Sequence, residues 1–360
     1  KNHSSPLFLY NPSIYNPMNR SIYFFILLTF SVCTLSAQKV AHRIPIAFYN
    51  VENLFDCNDD ANDDAEFLPD GKREWTEERY QQKLNNIARV LGDIADKGGA
   101  VVGLAEVENR RVLEDLVRVP NIRKRNYGII HYDSPDPRGI DCALLYDAKI
   151  FHLKSSGVRF IALPEESKIP TRDILFATGT IDNELFHFIV AHWPSRYGGD
   201  HASAGRRMVA AQTMRQVADS LLREYPGSKA ILMGDFNDDP FDASVVEGLN
   251  LCQTIDETHA TDLFSPMLSM YRQGAGTLAY KGKWNLFDIM VVSGNLLKKN
   301  TQGLHLYQDP ESHQLAYIFR RDYLLQQTPK HRGEPLRTFS GNNYLGGYSD
   351  HLPVYLYLTK

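Results

Sequence analysis

The chain has 360 residues, 43% of them hydrophobic and 23% charged, which is ordinary for a globular protein and ample for a large core. A net charge of −4 announces neither a nucleic-acid nor a membrane surface, so a polyanionic substrate would need local cations or a metal to offset the repulsion. Past the N-terminal segment only Cys57, Cys142 and Cys252 remain, too sparse for a disulfide framework and matching no zinc spacing, so any metal chemistry rests on oxygen ligands.

"MNRSIYFFILLTFSVCTLSAQ" (Met18 to Gln38) opens with a basic residue at Arg20, continues with an apolar run and closes on small residues at Ala37. This is signal-peptide grammar, too short and wrongly flanked for a stable transmembrane helix. The expectation is a signal peptide over 18–37, a spurious extension over 1–17, and one exported domain over 38–360, periplasmic or extracellular. The alternatives are an uncleaved anchor, or lipid attachment at Cys33, which lacks the small residues such a site follows.

Strand-like and helical patterns then alternate. "IPIAFYN" (Ile44 to Asn50) reads as a strand, and Trp75–Ile94 as a helix with apolar residues at Tyr80, Leu84, Ile87, Val90, Leu91 and Ile94. "AVVGLAE" (Ala100 to Glu106) is a buried strand followed by a short helix through Val112 and Leu116. "DCALLYD", "DILFATGTI" and "ELFHFIVAHW" are three more strands, the last two joined like a hairpin across Asp182-Asn183. A long helix over Ala204–Leu222, with Arg206 and Arg207 facing solvent, leads to the strand "KAILMGDFN" (Lys229 to Asn237). "WNLFDIMVV" (Trp284 to Val292) reads as one strand. Leu297–Tyr344 is polar and weakly periodic, the kind of long loop that is functional or disordered. "GGYSDHLPVYLYL" (Gly346 to Leu358) closes the chain with an alternating strand.

Polar residues recur where these strands end. Asn50 and Glu52, Glu106, His192, then Asp235 and Asn237 follow four apolar runs, and Asp288 lies within a fifth. Asp350-His351 opens the last strand instead, at the same edge if that strand is antiparallel to its neighbours. Any one of these has an ordinary reading as a turn, a cap or a core histidine; seven or eight together point to convergence on one rim.

In order, "FYNVENLFD", "GLAEVEN", "VAHWPS", "LMGDFND", "NLFDIMVV" and "YSDHLPV" resemble the motifs of the endonuclease/exonuclease/phosphatase superfamily, across Ile44–Leu358. The resemblance implies a four-layered α/β sandwich, two mixed β-sheets packed face to face with helices outside, and metal-dependent cleavage of phosphate esters. It implies Glu106 as the main ligand of Mg²⁺ (with Mn²⁺ or Ca²⁺ as alternatives), and Asn50, Asp350 and Glu52 as further ligand candidates. It further implies that Asp235 orients or deprotonates the attacking water and that Asn237 holds a phosphate oxygen. His351 contacts the phosphate with Asp288 as its partner, and His192 assists the leaving group or binds phosphate. Arg172 and Arg196 are candidates for phosphate binding, because a guanidinium can grip phosphate through two donors. "AHWPSRYGG" leans towards nucleases, so a nucleic-acid phosphodiester is the expected partner of a monomer with no membrane anchor after cleavage. A hydrolase of phosphomonoesters or lipid phosphates and a non-catalytic phosphate-binding protein are the competing readings. "DCNDDANDDAEF" (Asp56 to Phe67) lacks the glycine an EF-hand loop needs at its sixth position and is expected to be a solvated acidic loop.

Overall fold

The computed structural model describes residues 43–360 except 97, 165–169 and 299–302. The signal-peptide and extension readings lie outside the described residues. In chain order the strands are β1 (Ile44–Leu54), β2 (Val101–Val107), β3 (Tyr127–His131), β4 (Asp141–Asp147), β5 (His152–Arg159), β6 (Ile174–Ile181), β7 (Glu184–His192), β8 (Lys229–Asp235) and β9 (Leu251–Cys252). They continue as β10 (Leu263–Phe264), β11 (Leu278–Tyr280), β12 (Lys283–Asn285), β13 (Asp288–Ser293), β14 (His305–Leu306), β15 (Ala316–Ile318), β16 (Phe339–Ser340), β17 (Asn343–Tyr344) and β18 (Val354–Thr359). The α-helices are α1 (Glu77–Asp93), α2 (Arg110–Arg118), α3 (Asp200–Glu224) and α4 (Leu268–Arg272).

Two mixed sheets form the centre, as the resemblance implied. One runs β14-β18-β1-β2-β4-β3, with β15 also on β18; the other runs β5-β6-β7-β8-β13-β10-β9. Alternation along β1 explains the layering. Ile44, Ile46 and Phe48 join the core shared with the second sheet, while Ala47, Tyr49 and Val51 face the core built with α1 and α2. Helix α1 lays Tyr80, Leu84, Ile87 and Leu91 into that outer core, and α3 covers the second sheet through Ala210, Met214 and Val217. Among the described residues no helix is long and apolar enough to cross a membrane, and Cys57, Cys142 and Cys252 are free.

β18 pairs antiparallel with β1, Phe48 opposite Val354, so the start of β18 meets the tip of β1. The β6–β7 hairpin turns on Asp182 and Asn183, both at positive φ (50° and 67°), as a two-residue turn matched to strand twist requires. Helix α2 is capped by Asn109, whose side chain accepts from Val112 N.

Four expectations change. "WNLFDIMVV" is not one strand: Leu286 N donates to Asp239 and Phe287 O accepts from Phe236 N, which breaks the ladder between β12 and β13. Arg207 does not face solvent; it is 1% exposed, donating to Ser203 and paired with Asp200 and Asp238. The 297–344 stretch, where described, contributes β14 and β15 as partners of β18, so it is not a single loop. The acidic loop after β1 is partly interior: Asp56 and Asp64 are buried, and Arg111 pairs with Asp56 and Asp60.

Candidate active site at one rim of the sheets

Register brings three of the anticipated residues into one row. His192 of β7 lies opposite Asp235 of β8, and Asp235 opposite Asp288 of β13, at adjacent strand ends. Residues paired across a ladder share a face, so the three side chains emerge together. From the other sheet Asn50 donates to Asp235 Oδ2 at 3.0 Å, tying the two sheets together at this rim.

Backbone strain aims the first sheet's contribution. In the β2–β4 ladder Ala105 pairs with Cys142 and Val107 with Asp141, leaving Glu106 as the extra residue of a bulge at φ 65°. Glu52 (φ 50°), Asn53 (φ 54°) and Asn237 (φ 51°) are also left-handed. Non-glycine residues held there cost about 1–3 kcal/mol each and persist where the surroundings over-determine them, commonly at functional sites. The bulge lets Glu106 accept from Asn53 N at 3.1 Å with one oxygen, while the other lies 3.9 Å from His192 Nε2.

Asp235 is the hub. Its Oδ1 accepts from Asn237 N at 2.9 Å, and its Oδ2 lies 3.6 Å from His192 Nε2 and 3.7 Å from His351 Nε2. Burial raises its pKa to about 6, with His351 pulling down and Asp288 pushing up. His351 Nδ1 lies 2.7 Å from Asp288 Oδ2. Burial disfavours the imidazolium, but Asp288 and Asp235 outweigh it and hold His351 well above the usual histidine range. His192 is the opposite case: burial, then Arg172 and Arg138, press it well below that range, so it is neutral. Two buried histidines beside one carboxylate therefore differ in charge, because only His351 has a carboxylate hydrogen-bonded to its Nδ1, whereas His192 Nδ1 has no partner among the described residues.

Asp350 and His351 take different main partners, while Asp350 Oδ1 still lies 3.9 Å from His351 Nε2. His351 turns to Asp288, while Asp350 pairs with Arg337. Glu52 accepts from Thr338 N at 2.6 Å and lies 3.6 Å from Arg337 Nε; burial first, then Asp350, raises it to about 7. Among the described residues Glu106 has no lysine or arginine within ion-pair distance, its one such neighbour being the neutral His192. A partly exposed carboxylate without a protein cation fits a hard divalent ion; Asp350 Oδ1, the oxygen not bonded to Arg337, and Asn50 Oδ1, which also accepts from Glu52 N at 3.0 Å, are further oxygen donors at this rim. Glu52, buried and accepting from Thr338 N, fits poorly. Two other groups, Asp56–Asp60–Glu108 and His131–Asp133–Asp141, bring ligand atoms within 4.8 Å of one another, though Arg111 already neutralises the first.

The two anticipated arginines do not offer an open fork. Arg172 is 4% exposed and donates to Asp136 at 3.0 Å and to Trp193 O at 2.6 Å. Arg196 donates to Asn237 O, Asp238 and Asp242. Both brace the loops that carry Asn237, whose Nδ2 also donates to Trp193 O at 3.1 Å.

Sequence reasoning missed Lys83, Arg337 and Ser349. Lys83 is 1% exposed and donates to Thr338 Oγ1 and Tyr348 O, anchoring the segment that carries Asp350. Its signal was present, a lysine inside the apolar stripe of α1. Ser349 donates to Asn50 O and accepts from His351 N, locking the last strand onto the first. Arg337 sits in a stretch without periodicity and carried no signal.

No curated protein matches the chain in sequence. In solved structures the chain is similar to TDP2 of D. rerio in complex with a single-strand DNA product, with 13% identity and TM-score 0.54, covering 88% of this chain and 99% of that one. It is similar to the human Nocturnin catalytic domain, with 17% identity and TM-score 0.52, covering 88% and 94%. It is also similar to an endonuclease/exonuclease/phosphatase family protein of Bacteroides thetaiotaomicron, with 17% identity and TM-score 0.51, covering 88% and 98%. At such identities these likenesses show the fold. The model of the Endonuclease/Exonuclease/phosphatase family matches residues 45–360, nearly the whole chain, and the chain belongs to that family of phosphoesterases.

Proposed function

We propose that the chain is an exported, divalent-metal-dependent phosphodiesterase acting on nucleic acid. The observation that carries the reading is the Asp235 hub, a buried carboxylate held at about pKa 6 between a cationic and a neutral histidine. Asp235 takes the proton of the attacking water, Asn50 and the Asn237 amide fixing its orientation. His351, kept protonated by Asp288, neutralises the phosphoryl oxygens, and Asn237 holds one of them. His192 lies beside Asp235 where the leaving oxygen would depart, close enough to Glu106 to share its environment. A divalent ion on Glu106, with Asn50 and Asp350, supplies Lewis-acid charge at the phosphate when bound. Glu52, Arg172 and Arg196 position the loops around these groups. Nucleic acid is placed first because the "AHWPSRYGG" motif leans that way and the D. rerio TDP2 structure carries a DNA product.

Plasmid DNA, RNA, bis-p-nitrophenyl phosphate and p-nitrophenyl phosphate with Mg²⁺ form the test, with Glu106→Gln and His351→Ala as controls. Nicking of DNA that both substitutions abolish is the expected result. Hydrolysis of the monoester alone rejects a phosphodiesterase, and no hydrolysis of any substrate points to a binding protein. Export rests on the Met18–Ala37 segment. Edman sequencing of the exported protein should begin at Gln38, and a start upstream of Met18 refutes a signal peptide there.

A further inference from the structure

Beside the His192 end of the site a cavity of about 300 Å³ opens between the β3–β4 loop, Pro170–Arg172 before β6 and the loop after β7. Its lining includes Arg138, Thr171, Arg172, Ser195, Tyr197 and Arg206. Among the described residues of the lining, three arginines face one acid, Asp136, a net charge of two positive in a chain whose net charge is −4. Asp136 is already spent, accepting from Arg172 Nη1 at 3.0 Å and from Arg138 N at 2.9 Å. Arg138 is half exposed and reaches a protein acceptor through Nε alone, at 3.4 Å, so its two terminal nitrogens have none among the described residues. Arg206 donates from Nη2 to Tyr197 O at 3.2 Å. Thr171 Oγ1 and Arg172 Nε are buried without a hydrogen-bond partner among the described residues, and both residues are more than nine-tenths buried. Buried polar atoms left this way are rare in native folds and call for a partner.

A chain of hydrogen bonds links the cavity's lining to the hub. Trp193 O accepts from Arg172 Nη2 on the cavity side and from Asn237 Nδ2 on the site side, and Asn237 N donates to Asp235. At the mouth Tyr197 is 84% exposed, an aromatic ring of the kind that stacks on a base. The volume suits a phosphate with part of its sugar, and fixed guanidiniums suit phosphate geometry.

We propose that this cavity is a subsite for a second phosphate of the substrate, adjoining the scissile one, with Tyr197 stacking on the neighbouring base. The proposal rests on the phosphodiesterase reading and deepens it: the preferred substrate is a nucleotide chain bearing a phosphate beside the cleaved bond. Arg138 and Arg206 grip that phosphate, while Arg172 and Thr171 form the buried floor.

The test compares thymidine dinucleotides that are unphosphorylated, 5′-phosphorylated and 3′-phosphorylated, with wild type, Arg138→Gln and the Arg138→Ala/Arg206→Ala double variant. Each enzyme serves as its own reference through the ratio of kcat/KM for phosphorylated over unphosphorylated substrate, and thermal melts confirm folding. Wild type should prefer one phosphorylated form about tenfold, through KM, because hydrogen bonds to charged groups of this kind are worth that much. The ratio should fall part-way in Arg138→Gln and to about one in the double variant. Cleavage of all dinucleotides without preference, or a preference that survives in the double variant, overturns the subsite and leaves the phosphodiesterase reading standing. A wild type that cleaves no dinucleotide but hydrolyses p-nitrophenyl phosphate overturns that reading and the subsite with it.

Discussion

At the scale of single residues the site works by unequal treatment of similar groups. Asp235 and Asp288 are both buried carboxylates at adjacent strand ends, yet Asp288 is matched to the His351 ring while Asp235 faces two histidines and an amide. Asp235 must be ionised to accept a proton, so its raised pKa places the acid limb of kcat/KM near pH 6, activity rising with pH through that value. His351 must stay protonated, and its raised pKa carries the alkaline limb beyond neutrality. A pH–rate profile on bis-p-nitrophenyl phosphate should show both limbs; Asp235→Asn should remove the acid limb and lower kcat by about 10²- to 10⁴-fold. Asp288→Asn takes away the charge that sustains the imidazolium. Its alkaline limb should move to lower pH, with activity at neutrality down roughly 10- to 100-fold. A profile unchanged in that variant would remove Asp288 from its assigned role.

At the scale of elements the site depends on how closely the two sheets approach. Gly103 of β2 faces β8: a Cβ built there would lie 2.7 Å from Met233 Sδ and 3.2 Å from the Phe48 ring. Gly103→Val should overpack the inter-sheet core and cost about 1–3 kcal/mol, read as a lower urea midpoint at unchanged m-value. Because Asn50 must cross between sheets to reach Asp235, the same variant should lose kcat beyond what its unfolded fraction explains. Strand tips were legible in the chain because a buried run that stops at Glu106 or Asp235 breaks its own hydrophobic pattern. The strands β3 and β5 were not, since β5 is largely exposed along its length and offers no apolar alternation. The split between β12 and β13 was hidden for the converse reason: Leu286 and Phe287 are buried and continue the apolar run while their backbone groups bond elsewhere.

At the scale of the whole molecule the fold concentrates charge of one sign where the chain as a whole carries little. Among the described residues Glu106 lacks a protein cation, whereas Asp350, Glu52, Asp56 and Asp60 are each paired with an arginine. Adding Mg²⁺ should therefore raise the melting temperature of wild type, by an amount equivalent to about 2.7 kcal/mol at a concentration one hundred times the dissociation constant. Glu106→Gln should abolish most of that rise, and an equal rise in the variant would place the ion elsewhere, the Asp56–Asp60–Glu108 group being the next candidate. Such a melt reads binding without reference to turnover.

The amino-acid sequence alone determined the family, the layered α/β class and the roster of polar residues at strand ends. Those properties are written in local pattern and in ordered motifs, which do not depend on what lies opposite. Tertiary structure decided how each member is used. That His351 is charged and His192 neutral follows from which acid packs against each ring. That Arg172 and Arg196 brace loops follows from acceptors 36 and 41 residues away in the chain, whereas Arg138 and Arg206 keep donors at a cavity. Lys83 and Arg337 entered the site only because the 338–350 segment folds back onto α1 and β1. Charge state and hydrogen-bond occupancy are properties of neighbours, and neighbours 36 to 286 residues apart in sequence are chosen by the fold.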